Sequence, residues 1–183
     1  MNTHHFQGKY EVELKYRLNS KAEFIKVLNS IPHETMLEDN VECDRYFDSA
    51  DNALQSQHKS LCIRTMEPSG IKLWIVKGPE PDRCEATNIS DASKACSMLE
   101  TMGYNVVLNA QKTRSIFFVG PFHITVDSLE GLGDFAEFAI MTDDESMLAT
   151  YKVELEALAS KFGLTPMALE TKSYRQMLLQ KGA

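Results

Sequence analysis

The sequence predicts an α+β fold, an antiparallel eight-stranded β-barrel with a polar, charged interior and flanking helices. Most of the β-rich segments are joined by short turns, which favours antiparallel hairpins. Residues 9–18 alternate between charged and apolar side chains, so this strand has one apolar and one charged face. Other β-rich segments carry single charged residues between apolar neighbours, and closing the sheet would bring those charges together in its interior.

Composition and charge are those of an ordinary globular domain, which we expect to comprise residues 1–183. Hydrophobic residues make up 43% of the chain and charged residues 25%. The net charge of −7 argues against a nucleic-acid-binding protein that works through bulk charge. No apolar run approaches the roughly 20 residues of a membrane helix, and the first residues lack the features of a signal peptide. A cytoplasmic protein without a membrane partner is therefore expected.

The first half of the chain is predicted to contain one helix and five strands. Ser20 to Glu23 form a capping-box pattern, so a helix over residues 21–30 is expected, ending before Pro32. Residues 49–58 are polar and are predicted to form a loop. The predicted strands cover residues 9–18, 36–48, 60–67, 71–77 and 83–88.

The second half is predicted to contain three strands and three helices. A helix capped by Ser90 or Asp91 is expected to run to residue 102, just before a glycine. A second capping box at residues 142–145 opens a helix to Phe162, because apolar residues recur there at spacings of three and four. The remaining predicted elements are strands over residues 105–119, 122–129 and 134–142 and a short helix around residues 173–180.

The charged face of the first strand carries two carboxylates followed by two cations. Glu11 and Glu13 are residue types that bind hard divalent cations, whereas Lys15 and Arg17 suit phosphate oxygens. This order fits a metal ion beside a polyphosphate. Alternation alone favours an ordinary solvent-exposed strand face.

Charged residues inside the other strands favour the functional interpretation. Glu137 lies between Phe135 and Phe138, where burying a carboxylate is costly unless it is paired or binds a metal. Solvated strand faces and turn positions remain alternatives for the other members of the set. These are Arg64, Lys77, Arg83, Glu85, Lys112, Arg114 and Asp127.

Residues 11–15, Glu-Val-Glu-Leu-Lys, are similar to the ExExK signature of the CYTH superfamily, the triphosphate tunnel metalloenzymes. Within it the chain most resembles the bacterial class IV adenylyl cyclases of the CyaB type, through Leu-Trp-Ile-Val-Lys-Gly-Pro and Gly-Leu-Gly-Asp-Phe-Ala-Glu among other segments. Ala139 stands where many members carry a second glutamate, which speaks against a full triphosphatase-like carboxylate set. Further matching segments follow in family order, namely residues 46–48, Arg64, 77–79, 83–85, 112–114, Asp127 and 172–174.

The resemblance implies a β-tunnel that binds a triphosphate together with one or two Mg²⁺ or Mn²⁺ ions. It implies conversion of ATP to 3′,5′-cyclic AMP and pyrophosphate, in a homodimer. The implied metal ligands are Glu11, Glu13, Glu137 and Asp127. The implied triphosphate ligands are Lys15, Arg64, Lys77, Lys112 and Arg114. The residues expected to be catalytic are Glu11, Glu13, Lys15 and Glu137, and weaker candidates for phosphate contact or support are Arg17, Arg45, Arg83 and Glu85.

Two other functions remain open at this point. A metal-dependent triphosphatase could use the same tunnel with water as the attacking group. A non-catalytic polyphosphate-binding module would keep the cations but would not need the carboxylates, so the retained glutamates count against it.

Overall fold

Eight strands form a single antiparallel sheet in the computed structural model, which describes residues 3–181. The order of the strands across the sheet is β1-β8-β7-β6-β2-β3-β4-β5. All seven neighbouring pairs are antiparallel, which confirms the predicted architecture. The strands are β1 (Tyr10–Arg17), β2 (Glu34–Asp48), β3 (Ser60–Glu67), β4 (Lys72–Lys77), β5 (Cys84–Asn88), β6 (Asn105–Val119), β7 (Phe122–Leu129) and β8 (Gly133–Thr142).

The sheet curls until its two edge strands, β1 and β5, meet at one end. The Glu11 N–H donates to the carbonyl of Asp82 at 2.8 Å, and the Cys84 N–H donates to the carbonyl of Lys9 at 2.9 Å. Further along, the edge of β1 is covered by the C-terminal segment, where the Glu170 N–H donates to the carbonyl of Lys15. The predicted barrel is thus closed by hydrogen bonds at one end of β1 and is otherwise a curled half-barrel.

The outer face of the sheet carries the main apolar core. The helices are α1 (Lys21–Leu28), α2 (Ala53–Ser56), α3 (Ala92–Thr101), α4 (Leu148–Lys161) and α5 (Tyr174–Lys181). Phe24 of α1 and Leu155 of α4 pack against Leu14 and Phe138 of β1 and β8, all of them buried. Helix α3 covers a second cluster over β2 and β3. The inner face carries the charged side chains, as predicted, together with smaller apolar clusters that include Ile75, Ile116 and Phe135.

The short helix α2 lies where the sequence predicted a loop. Its N-terminal N–H groups at Leu54 and Gln55 donate to the carboxylate of Asp48 at 2.9 and 3.0 Å, and Asp48 is fully buried. A four-residue helix has little stability of its own. It forms here because the carboxylate at the end of β2 accepts from its first N–H groups, although Asp48 precedes Leu54 by six positions and the usual capping residue directly precedes its helix.

No helix within residues 3–181 is long and apolar enough to cross a membrane. The four cysteines are unpaired, as their spacing indicated, with Cys43 half-buried and the other three buried.

Candidate active site

The predicted site residues all point into the half-barrel. They come from six strands, and Lys15 of β1 lies directly opposite Glu137 of β8. In β4, Lys77 lies inside beside Glu11, and Trp74 lies outside against α3. The residues that the structure brings to this inner face are Glu11, Glu13, Lys15, Arg64, Lys77, Lys112, Arg114, Asp127 and Glu137.

Arg114 lies at the centre of the site and is only 8% exposed. Its guanidinium donates to both carboxylate oxygens of Asp127, at 2.6 and 2.5 Å, and to Glu137 at 2.5 Å. Burial raises the pKa of Glu137, but Arg114 and Lys15 outweigh it and leave the pKa at about 2. Glu137 is therefore ionised at neutral pH, and the two strands β6 and β8 are joined by a strong charge-assisted hydrogen bond.

Asp127 has an environment unlike that of an available metal ligand. It is fully buried, both of its oxygens accept from Arg114, and one also accepts from the Tyr174 hydroxyl at 2.8 Å. A carboxylate so fully engaged has little capacity left for a cation. The structure therefore favours Asp127 as the partner that fixes Arg114, rather than the metal ligand that the family resemblance implied.

Two inward-facing carboxylates of β2, Glu42 and Asp44, were missed by the sequence analysis. Arg64 donates to Asp44 at 2.7 and 2.8 Å and lies 3.0 Å from Glu42. Lys112 forms ion pairs with both carboxylates. Burial raises the pKa of Asp44, yet Arg64 and Lys112 hold it well below its usual range. A signal was present, because Glu42 and Asp44 are two residues apart in a strand, as Glu11 and Glu13 are.

A small open cavity of about 150 Å³ marks one end of the interior, and Glu11, Glu13 and Lys77 line it. The Lys77 ammonium lies 2.9 Å from Glu11 and 3.9 Å from Glu13. Burial raises the pKa of Glu11, but Lys77 outweighs it and holds the pKa well below its usual range. By contrast, burial and the charge of Glu137 raise the pKa of Glu13 to about 7. These glutamates thus hold negative charge that is incompletely neutralised.

His123 of β7 is a further residue that the sequence analysis did not single out. It is 3% exposed, and its Nε2 lies 3.6 Å from a carboxylate oxygen of Glu11. Its inward direction could have been predicted, because His123 and Asp127 are an even number of positions apart in β7 and therefore lie on the same face of the strand.

Within residues 3–181 the weaker candidates form no ion pair with the charged residues of the inner face, although Arg83 lines the cavity beside Glu11 and Glu13. Arg45 lies on the outer face, where it contacts the thiol of Cys96 in α3. Arg83 pairs with Glu85 at the partly exposed rim, with a distance of 2.7 Å. Arg17 pairs with Glu170 of the C-terminal segment at 3.0 Å and is half-exposed.

The donor set fits a hard divalent cation, although the carboxylates are held by lysine and arginine. Among residues 3–181, no three His, Cys, Asp or Glu side chains converge as a ready-made metal site. However, the raised pKa of Glu13 reflects its burial first, and then repulsion from Glu137 and Glu11. A bound cation would relieve that repulsion, and Glu11, Glu13 and Glu137 offer the oxygen ligands that Mg²⁺ and Mn²⁺ prefer.

Comparisons with known proteins agree with this geometry. The CYTH domain profile matches residues 9–174. Adenylate cyclase CyaB of Aeromonas hydrophila is 58% identical over 180 residues, which cover 98% of this chain and 94% of that protein. A crystal structure from Vibrio parahaemolyticus superposes with a TM-score of 0.92 at 54% identity, covering 94% of this chain and 99% of the other. The PH1819 protein of Pyrococcus horikoshii gives a TM-score of 0.82 at 27% identity, with the same two coverages. The chain therefore belongs to the CYTH domain family.

Proposed function

We propose that this protein is an adenylyl cyclase that converts ATP to 3′,5′-cyclic AMP and pyrophosphate. One observation carries this function, namely the inner face of the half-barrel, where the cations Lys15, Lys112 and Arg114 are buried among several carboxylates, with Arg64 part-buried and Lys77 half-exposed beside them. Cyclisation is favoured over hydrolysis by the 58% identity to the Aeromonas adenylate cyclase.

The cations of the inner face would bind the triphosphate. Each of them is now paired with a carboxylate, as Arg64 is with Asp44 and Lys77 is with Glu11. Phosphate oxygens would replace these carboxylates as partners, and the fork of Arg114 suits them particularly well. The proposed triphosphate ligands are Lys15, Arg64, Lys77, Lys112 and Arg114.

Glu11, Glu13 and Glu137 would hold Mg²⁺ or Mn²⁺ at the same face. Such a cation lowers the pKa of a coordinated hydroxyl and offsets charge on a leaving phosphate. Lys77 would then move from the glutamates to the phosphates. We propose that Asp127 stays with Arg114.

The reaction forms a bond between the ribose 3′-oxygen and the α-phosphorus and breaks the bond between that phosphorus and the bridging oxygen to pyrophosphate. The 3′-hydroxyl loses its proton, and pyrophosphate leaves with the bonding electrons. Catalysis of phosphoryl transfer consists mainly of positioning and charge stabilisation. Buried cations held at fixed distances supply both, since little reorganisation is needed when charge develops on the leaving group.

Product analysis tests this function. Purified protein with ATP and Mg²⁺ or Mn²⁺ is expected to yield cyclic AMP and pyrophosphate in equal amounts, and Glu137→Gln is expected to abolish both. Glu154→Gln, an exposed position on α4, serves as the matched control. ADP with orthophosphate would instead indicate the triphosphatase, and unchanged ATP would indicate a binding module.

ATP as substrate, a homodimer and a cytoplasmic location complete the proposal, with residues 1–183 acting as one CYTH domain. A cytoplasmic location suits an enzyme that consumes ATP. Light scattering coupled to size-exclusion chromatography tests the dimer, which requires a mass of about twice the 20.7 kDa of the chain.

A further inference from the structure

The C-terminal helix α5 carries its first residue, Tyr174, into the charged interior. The helix starts at a capping box, in which the Gln176 N–H donates to the Ser173 hydroxyl and the Ser173 N–H donates to the Gln176 side chain. Arg175 anchors the same end, 3.6 Å from the buried carboxylate of Asp48. Tyr174 itself is 8% exposed.

The hydroxyl of Tyr174 begins a chain of contacts that ends at the centre of the site. It donates to Asp127 at 2.8 Å, and Asp127 accepts two hydrogen bonds from Arg114. Arg114 in turn donates to Glu137. Burial, Glu137 and Asp127 raise the pKa of Tyr174 far above its usual range, so the hydroxyl keeps its proton and acts as a donor.

The ring of Tyr174 also lies under two of the proposed phosphate ligands. The Lys15 ammonium is 4.5 Å from the ring centroid, and the Lys112 ammonium is 5.4 Å from it. Both distances fall within the range of cation–π attraction. Phe135 contacts the ring edge-on, with centroids 5.3 Å apart, which limits rotation of the ring.

We propose that Tyr174 is a positioning residue, whose hydroxyl fixes Asp127 and thereby holds Arg114 in the orientation that reaches Glu137 and the triphosphate. This role rests on the proposed function. Neither Tyr174 nor Asp127 needs to touch ATP. Without the hydroxyl, Asp127 keeps its charge but loses one of its fixed partners, and Arg114 gains freedom at the point where its geometry matters most.

A double-mutant cycle on turnover tests the chain of contacts. Tyr174→Phe removes the hydroxyl and keeps the ring beneath the lysines. We expect kcat to fall at least about tenfold, the scale of a lost hydrogen bond to a charged group, while KM for ATP changes less than about threefold. In an Asp127→Asn background, adding Tyr174→Phe should not lower kcat any further. Equal losses in both backgrounds, or no loss in Tyr174→Phe, would overturn the role.

Tyr16→Phe is the matched control, because Tyr16 is a buried tyrosine of β1 whose ring faces the outer core. The turnover of this variant should equal that of the wild type.

A second measurement does not depend on turnover. The Nε–H of Arg114, which donates to Asp127, should give a slowly exchanging NMR signal, identified by its loss in Arg114→Lys. Tyr174→Phe should increase that exchange at least about tenfold, and an unchanged rate contradicts the positioning role. If the wild type makes no cyclic AMP, the proposed function fails, while the NMR result still decides whether Tyr174 orders Arg114.

Discussion

Neutralising Glu42 removes a counterion shared by the buried Lys112 and Arg114 and the part-buried Arg64. The side chain is 1% exposed, 3.0 Å from Arg64, in an ion pair with Lys112, and 3.8 Å from Arg114. Breaking a buried ion pair by removing one partner costs about 3–5 kcal/mol. Because Asp44 and Asp127 still neutralise these cations, we expect Glu42→Gln to lose about 3 kcal/mol of stability. For a domain of this size, that lowers Tm by roughly 6–12 °C.

Inorganic tripolyphosphate should restore much of this loss. In the wild type, phosphate oxygens must displace Glu42 from its cations, whereas in Glu42→Gln the cations lack that competitor. Tripolyphosphate should therefore bind the variant more tightly and raise its Tm further than that of the wild type. Thermal unfolding of both proteins, without metal and with and without tripolyphosphate, measures this difference. Glu154→Gln on the exposed face of α4 should behave like the wild type. An unchanged Tm in ligand-free Glu42→Gln, or equal shifts with tripolyphosphate, would refute the reasoning.

Three further predictions concern individual side chains. The pKa of Glu13 is raised from 4.5 to about 7. Between these two pH values the folded protein binds a proton that the unfolded chain has released. The stability of the metal-free protein therefore falls as pH rises through this window. Urea unfolding should show that Glu13→Gln adds about 1–2 kcal/mol of metal-free stability at pH 8 and less at pH 5, while turnover is abolished. Equal gains in stability at both pH values would contradict the raised pKa of Glu13. Arg114→Lys keeps the charge but loses the fork that bridges Asp127 and Glu137, so kcat/KM should fall at least about 100-fold in product assays, and near-normal turnover would show that charge alone suffices. Leu155→Ala, at a fully buried position of α4, should cost about 3 kcal/mol in urea unfolding while cyclic AMP formation per folded molecule stays the same.

The charged interior could be anticipated because it depends on a two-residue period, whereas the order of the strands, with β1 beside β8 and β2 beside β6, was not predicted. The alternation of residues 9–18 separates Glu11, Glu13 and Lys15 from the apolar side chains that pack against α1 and α4. The same period placed Lys112, Arg114 and Glu137. Short turns then required antiparallel neighbours, since parallel pairs need long crossovers.

The contacts that organise the site depend on residues far apart in the chain, and local patterns carry little information about them. Tyr174 contacts Asp127 across 47 positions, and Lys112 contacts Asp44 across 68 positions. The family resemblance implied metal ligation by Asp127, whereas in the structure its oxygens are engaged by Arg114 and Tyr174. Arg45, a weaker candidate for phosphate contact, has its side chain towards α3.

A crystal structure with Mn²⁺ and 3′-deoxy-ATP, which lacks the attacking hydroxyl, tests the central claim most directly. We expect the triphosphate inside the half-barrel, with phosphate oxygens on Lys112 and Arg114. The anomalous signal of Mn²⁺ should lie at about 2.0–2.3 Å from carboxylate oxygens of Glu11, Glu13 or Glu137. A triphosphate bound on the outer face, or a metal held away from these glutamates, would contradict the account.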